Sequence, residues 1–220
     1  MKERVQKIIA ERGVCSRRAA EKLGFLYVDT GAMYRAIALY LIRQGVRPED
    51  TDAIRRECVG AKVSIAYRDG EQQVLLNGEN VNGLIRTEEV AAMSSKASAV
   101  PRVRELLLEL QQRLAAENDV LMDGRDIGTV VLPDAQVKVF LTASTEARAH
   151  RRMLELEQRG TPQPFEQILK DIQERDWNDS HRVTAPLRQA EDAVLLDTTE
   201  LTFRESEAAL LDIIRERTEA

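Results

Sequence analysis

The residues best suited to chemistry follow a short apolar run. Residues 120–122 (VLM) lead directly into residues 123–126 (DGRD). A short apolar run that ends in turn residues predicts a buried strand, and open α/β sheets bind ligands just beyond the carboxyl ends of their strands. Arg125 could hold a phosphate there, because its planar guanidinium donates two parallel hydrogen bonds. The alternative is a surface turn in which Arg125 pairs with Asp123 or Asp126.

Other arginines follow predicted strands or surround one predicted loop: Arg35, Arg104, Arg148, Arg151, Arg152, Arg175 and Arg182. The chain as a whole is acidic, with a net charge of -5 and a pI near 5.3. Arginines gathered at these places in an acidic chain favour a small polyanion as ligand. The acidic balance argues against nucleic acid bound over a broad face, although a local basic patch stays open.

A second anion site is predicted where Thr30-Gly31 begins a helix, since the free N–H groups of a helix N-terminus bind anions. Arg35 could reach the same anion, or it could be a solvated charge on the helix. His150 and His181 are interpreted as surface residues.

Composition limits the class of protein. A chain of 220 residues fits one domain with small insertions. Two cysteines without CxxC spacing and two histidines argue against a disulfide framework and against zinc. No apolar run approaches the ~18 residues that a membrane span needs, and the first residues are too polar for a secretion signal. We therefore expect a cytoplasmic monomer with no membrane partner.

The elements that must position these residues alternate along the chain. We predict helices over residues 3–12, 17–23, 32–43, 87–99, 102–116, 144–152, 166–176 and 203–217 and strands over residues 25–28, 120–122, 137–141 and 194–196. An antiparallel hairpin insert over residues 62–84 interrupts the pattern. The predicted fold class is α/β, with a parallel sheet wrapped by helices.

Several separated stretches resemble bacterial cytidylate kinases. They are YVDTGAMYRA (27–36), VLLNGENV (74–81), IRTEEV (85–90), PRVRELLLELQQRL (101–114), VLMDGRDIGTVVLPDAQVKVFL (120–141) and QERDWNDSHRVTAPLRQAEDAVLLDTT (173–199). The resemblance covers about residues 21–217. It implies transfer of the γ-phosphoryl of ATP to CMP or dCMP with Mg²⁺. It also implies a P-loop kinase-like core over residues 23–220, a nucleotide-binding insert near 62–84 and a helical lid near 148–175.

The resemblance also assigns roles to single residues. It implies that Thr30 and Arg35 hold the acceptor nucleotide, Ser95 and Arg104 address the cytosine edge, Arg125 and Asp126 lie near base and sugar, Asp179 reads the sugar, and Arg182 holds the acceptor phosphate. Arg175, Arg151 and Arg148 would neutralise charge on the transferred group.

The start of the chain departs from the family. Its members begin with a strand that leads into a G-x-x-x-x-G-K-[ST] loop, which holds the donor phosphates. The sequence contains no such string, and the family's spacing places Arg12 at the Lys and Gln6 near the first Gly. We therefore expect an atypical helical N-terminus over residues 1–22, no phosphate loop and doubtful turnover. Without the first strand, the strands of Val28 and Leu121 should be exposed, or a helix over residues 3–10 should replace it.

Residues 4–23 (RVQKIIAERGVCSRRAAEKL) instead resemble the start of the RNA-binding domain of ribosomal pseudouridine synthases. The basic residues there are Arg4, Lys7, Arg17 and Arg18. Three hypotheses stay open: a kinase of CMP or dCMP, a CMP-binding protein without catalysis, and an RNA-binding fragment fused to a kinase-like chain.

Overall fold

The structure, a computed structural model, describes residues 7–9, 14–68 and 71–219. Its strands are β1 (Lys7–Ile9), β2 (Leu26–Asp29), β3 (Val63–Arg68), β4 (Glu71–Leu76), β5 (Glu79–Asn80), β6 (Val120–Asp123), β7 (Val137–Thr142) and β8 (Val194–Asp197). Its helices are α1 (Val14–Leu23), α2 (Thr30–Arg43), α3 (Thr51–Glu57), α4 (Glu88–Ala97), α5 (Pro101–Glu117), α6 (Thr145–Gln158), α7 (Phe165–His181) and α8 (Phe203–Glu219).

Five strands form one parallel sheet in the order β2-β6-β1-β7-β8. The sheet confirms the predicted α/β class. The strand β2 lies at one edge and β6 beside it, so the carboxyl ends of these two strands are neighbours.

The expected helix over residues 3–12 is wrong at residues 7–9, which form the central strand β1. In register, Ile8 lies opposite Met122 of β6 and Lys138 of β7. A short β-branched run fits this place because strands on both sides pair its backbone groups. The expected exposure of Val28 and Leu121 is also wrong, since both are fully buried. The rest of the expected helix lies outside the described residues, and the division at residue 22 stays a prediction.

The helix α1 begins at Val14 rather than at Arg17, so Ser16 lies inside the helix and does not cap it. The helix α7 runs to His181, about five residues beyond its expected end. An unexpected π-helical turn spans Ile127–Val131, directly after the DGRD stretch.

The two faces of the sheet bury different helices. Val28, Val120 and Met122 belong to the core formed with α2, α4 and α5. Leu121 belongs to the core on the opposite face, formed with α1 and α8. Successive strand residues point to opposite faces, so residues 120–122 supply both cores and hold the following turn in a fixed place.

Two further units complete the fold. The insert is the predicted hairpin, a three-stranded antiparallel sheet of β3, β4 and β5; its expected Asp69-Gly70 turn lies outside the described residues. The helices α6 and α7 share a small core of Ala149, Leu156 and Ile168. Within the described ranges, no helix is both long and apolar enough to cross a membrane.

Candidate functional site

A polar pocket lies at the carboxyl ends of β2 and β6, where α/β sheets bind ligands. Its lining comes from the end of β2, the first turns of α2, helices α4, α5 and α7, and the turn after β6. The lining residues are Asp29, Thr30, Gly31, Tyr34, Arg35, Ser94, Ser95, Ser98, Arg104, Asp123, Gly124, Arg125, Asp126, Arg175, Asp179 and Arg182.

A close contact between two elements forms the floor of the pocket. The Thr30 hydroxyl, at the start of α2, donates to the Asp123 carbonyl over 2.7 Å. A Cβ atom on Gly124 would lie 2.5 Å from Thr30 Oγ1 and 2.6 Å from the Ile127 Cδ1 atom. Only glycine at position 124 therefore lets α2 approach the end of β6 this closely.

Asp29 joins α2 to two arginines. Its Oδ1 caps α2 by accepting from the Ala32 N–H over 2.9 Å, and its Oδ2 accepts from Arg35 over 3.1 Å and from Arg86 over 3.2 Å. Arg35 is only 4% exposed, and its Nε has no hydrogen-bond partner in the described part of the chain. Burial lowers the pKa of Arg35, and Asp29 opposes that shift.

The Asp179 carboxylate lies close to three guanidinium groups. Its Oδ2 accepts from Arg125 Nε over 3.0 Å and lies 3.9 Å from Arg175 Nε, while its Oδ1 lies 3.7 Å from Arg182 Nη1. Arg175 and Asp179 share one face of α7 because they are four residues apart, and Arg182 follows directly after α7 as its C-cap residue. Burial, followed by repulsion from Arg125, lowers the pKa of Arg175 to about 10, so it stays charged at neutral pH.

Asp126 joins α5 to the end of α7. It accepts a short hydrogen bond from Arg104 and lies 3.8 Å from Arg182 Nη2. That nitrogen is buried and has no hydrogen-bond partner among the residues described. Burial lowers the pKa of Arg182, and the nearby Arg104 lowers it further. Buried polar groups are almost always paired. The unpaired Nη2 of Arg182 and Nε of Arg35 are therefore donors available to a ligand.

One wall of the pocket suits a flat polar ring. The guanidinium carbon of Arg104 lies 5.4 Å from the centre of the Tyr34 ring, and its Nη1 donates to the Ser98 carbonyl over 3.0 Å. Ser95 lines the pocket beside them. Burial raises the pKa of Tyr34, which therefore stays neutral at neutral pH.

Nine of the predicted residues meet in this pocket: Thr30, Arg35, Ser95, Arg104, Arg125, Asp126, Arg175, Asp179 and Arg182. Two do not. Arg148 makes a two-point ion pair with Asp176, at 3.0 and 2.5 Å, and Arg151 donates to the carbonyls of Thr198 and Leu201. Both arginines donate to protein groups outside the pocket in this structure.

Sequence reasoning missed several lining residues, among them Asp29 and Tyr34. Helical spacing was the available signal for Tyr34, which is one turn beyond Gly31 on α2. Ser94, Ser95 and Ser98 are unusual in a helix interior and were expected either to face a ligand or to allow close packing; all three line the pocket.

The basic residues behind the RNA hypothesis are only partly described. Arg17 lies 3.9 Å from Glu71, and the Arg18 guanidinium lies 5.0 Å from the centre of the Phe203 ring. Arg4 lies outside the described residues, as do Gln6 and Arg12, so the predicted replacement of the phosphate loop stays a prediction.

Comparison with known proteins gives a consistent result. The family model described as Cytidylate kinase matches residues 10–216. A protein named Cytidylate kinase from Pasteurella multocida is 45% identical over 207 residues, covering 94% of this chain and 91% of its own. One from Rhodococcus opacus is 48% identical over 203 residues (92% and 89%), and one from Carboxydothermus hydrogenoformans is 44% identical over 205 residues (93% and 92%).

The match to the family model includes the insert, the helices α6 and α7 and every residue that lines the pocket. The chain therefore belongs to the cytidylate kinase family.

Proposed function

We propose that the pocket binds CMP or dCMP as a phosphoryl acceptor and that the donor half of the site is impaired. The observation that carries the proposal is the pair of buried arginines, Arg35 and Arg182, whose unpaired donors adjoin the pocket. A nucleoside monophosphate supplies the anion that such donors need. Family membership supplies the nucleotide class.

The lining residues divide by chemistry. Thr30, Arg35 and Arg182 bind the acceptor phosphate, and Asp179 binds the sugar. Ser95 and Arg104 hydrogen-bond the cytosine edge, with Arg125 and Asp126 beside base and sugar. Arg175 neutralises charge on the transferred group.

The physical requirements of phosphoryl transfer agree with this division. The reaction depends on positioning and on cations near the equatorial oxygens, with little covalent help from the protein. Carboxylates that hold guanidinium groups in place before the ligand arrives avoid a reorganisation cost during the reaction. Asp126 and Asp179 do this for Arg104 and Arg125. No strong base is needed.

The donor half of the proposed site, which would hold the phosphates of ATP, lacks the glycine-rich motif expected there. The sequence has no G-x-x-x-x-G-K-[ST] string, the motif whose backbone N–H groups and Lys would hold the donor phosphates. One preorganised donor is worth about 3 kcal/mol of transition-state stabilisation, so the loss of several would make turnover negligible.

The arginines of the lid have a conditional role. Arg148 and Arg151 would reach the transferred group only if α6 moved toward the pocket. They add nothing to the binding of CMP alone.

The proposal is tested by the substitution Arg182→Ala. Hydrogen bonds to charged groups contribute about 1.5–3 kcal/mol, so the dissociation constant of CMP should rise about tenfold to a hundredfold in calorimetric titration. Arg55→Ala is the matched control, because Arg55 is an exposed arginine on α3 that pairs only loosely with Asp52. Equal CMP affinity in the two variants would contradict the proposed site.

A further inference from the structure

Side chains of the insert occupy the free edge of β2, the edge strand of the sheet. The Asp29 N–H donates to Gln72 Oε1 over 2.8 Å, and Gln72 Nε2 donates back to the Asp29 carbonyl over 3.2 Å. The Tyr67 hydroxyl donates to the Tyr27 carbonyl over 3.1 Å. Gln72 is only 7% exposed although it lies in a hairpin at the periphery of the fold.

The two side chains act as a unit, which we call the hairpin latch (Tyr67 and Gln72). They are directly opposite each other in the β3–β4 ladder. Tyr27 and Asp29 are two residues apart on β2, so their backbone groups point to the same edge. The side chains of the latch therefore pair with the backbone of β2 in the way that the backbone of a further strand would.

The backbone at Gln72 is itself held in place. Asn82 Nδ2 donates to the Gln72 carbonyl over 2.7 Å, and Asn82 Oδ1 accepts from the Val74 N–H over 2.8 Å. A side chain on a fixed strand loses little conformational freedom when it binds, so Gln72 is well placed to fix a distance between insert and sheet.

Asp29, to which Gln72 is hydrogen-bonded, also positions residues of the pocket. Asp29 caps α2 and accepts hydrogen bonds from Arg35 and Arg86. A shift of the Asp29 backbone would move its carboxylate and with it Arg35. The position of the insert is thus joined to a pocket arginine through one residue.

We propose that Tyr67 and Gln72 are positioning residues, which fix the insert on β2 and thereby hold Asp29 and Arg35 in the geometry that binds the acceptor nucleotide. The inference rests on the proposed function, because it takes Arg35 as a ligand of the acceptor.

The first test is the substitution Gln72→Leu, which removes both hydrogen bonds and keeps similar bulk. The dissociation constant of CMP, measured by calorimetry on the full chain, should rise about tenfold. The matched control is Gln73→Leu, since the next residue on β4 points to the other face of the hairpin. The control should bind CMP within about twofold of the unaltered chain.

The second test needs no ligand. Hydrogen exchange at the Asp29 amide, followed by NMR, should be at least tenfold faster in Gln72→Leu, because the acceptor of that N–H is removed. The Leu26 amide, which donates to the Asp119 carbonyl, should exchange at an unchanged rate. A merely structural role of Gln72 would speed up exchange at both amides.

The outcomes separate the two proposals. If the unaltered chain binds no CMP, the proposed function is overturned, and so is the role of the latch in acceptor binding. If it binds CMP and Gln72→Leu binds equally well, the positioning role is overturned while the function stands. Unchanged exchange at Asp29 also overturns it. Should Gln72→Leu not fold, Tyr67→Phe removes one hydroxyl and should weaken CMP binding about twofold to threefold; unchanged affinity there contradicts the latch.

Discussion

Single side chains set the charge balance of the pocket. Five arginines and four aspartates line it, in a protein whose net charge is -5. The aspartates orient the guanidinium groups before a ligand arrives, at the cost of part of the positive potential. Arg35 and Arg182 keep unpaired buried donors despite these partners. The pocket is therefore shaped for an anion without being strongly positive.

A residue-scale prediction concerns Gly124. The substitution Gly124→Ala would place a methyl group 2.5 Å from Thr30 Oγ1 and break the hydrogen bond to the Asp123 carbonyl. Overpacking of this kind costs about 1–3 kcal/mol of folding free energy, so the thermal midpoint should fall by several degrees. Gly83→Ala is the control, because nothing lies within 4 Å of its added Cβ. Equal midpoints would contradict the close approach of α2 and β6.

Among single residues, the sequence indicated the pocket arginines because arginines recur after predicted strands and around one predicted loop. For Arg125 it left two interpretations open, a surface turn or a ligand site. Its hydrogen bond to Asp179, which is 54 positions away, came from tertiary contact that no local pattern contains. Asp29 was missed for the same reason, because its role depends on Gln72 and Arg86 from distant segments.

Two helices decide which arginines can act together. Arg175 and Asp179 are one turn apart on α7, and Arg182 follows as its C-cap residue. Arg148 and Arg151 lie on α6 and donate to Asp176 and to two backbone carbonyls. The resemblance gave Arg148, Arg151 and Arg175 one role, whereas in the structure only Arg175 lines the pocket.

An element-scale prediction follows for Arg148. The substitution Arg148→Ala breaks the ion pair with Asp176, whose two side chains are 21% and 35% exposed. Such a partly exposed pair contributes about 1 kcal/mol or less, and Arg148 does not line the pocket. CMP affinity should therefore stay within about twofold by calorimetry.

The comparison for that experiment is Arg182→Ala at the end of the adjacent helix, which should weaken CMP binding about tenfold or more. A loss of CMP affinity in Arg148→Ala as large as in Arg182→Ala would show that the lid contributes to acceptor binding, contrary to this assignment.

The whole molecule joins a parallel sheet, an insert and a lid around one pocket. The alternation of strands and helices predicted the α/β class, because periodicity reports which faces are buried. It did not predict β1. Residues 7–9 are too few to distinguish a strand from a helix by pattern, and their place is fixed by pairing with β6 and β7.

The two halves of the proposed site are built by different parts of the chain. The acceptor half is assembled by elements that the structure describes from Val14 onward. The donor half depends on the segment between β1 and α1, where the family's glycine-rich string is absent from the sequence. We therefore expect the acceptor half to bind its nucleotide and the donor half not to.

The most direct measurement is a pair of calorimetric titrations, one with CMP and one with ATP, on the same folded protein in the presence of Mg²⁺. We expect saturable binding of CMP and no measurable binding of ATP. Binding of both nucleotides, with ADP formed in a coupled assay, would contradict it, since another segment would then hold the donor phosphates.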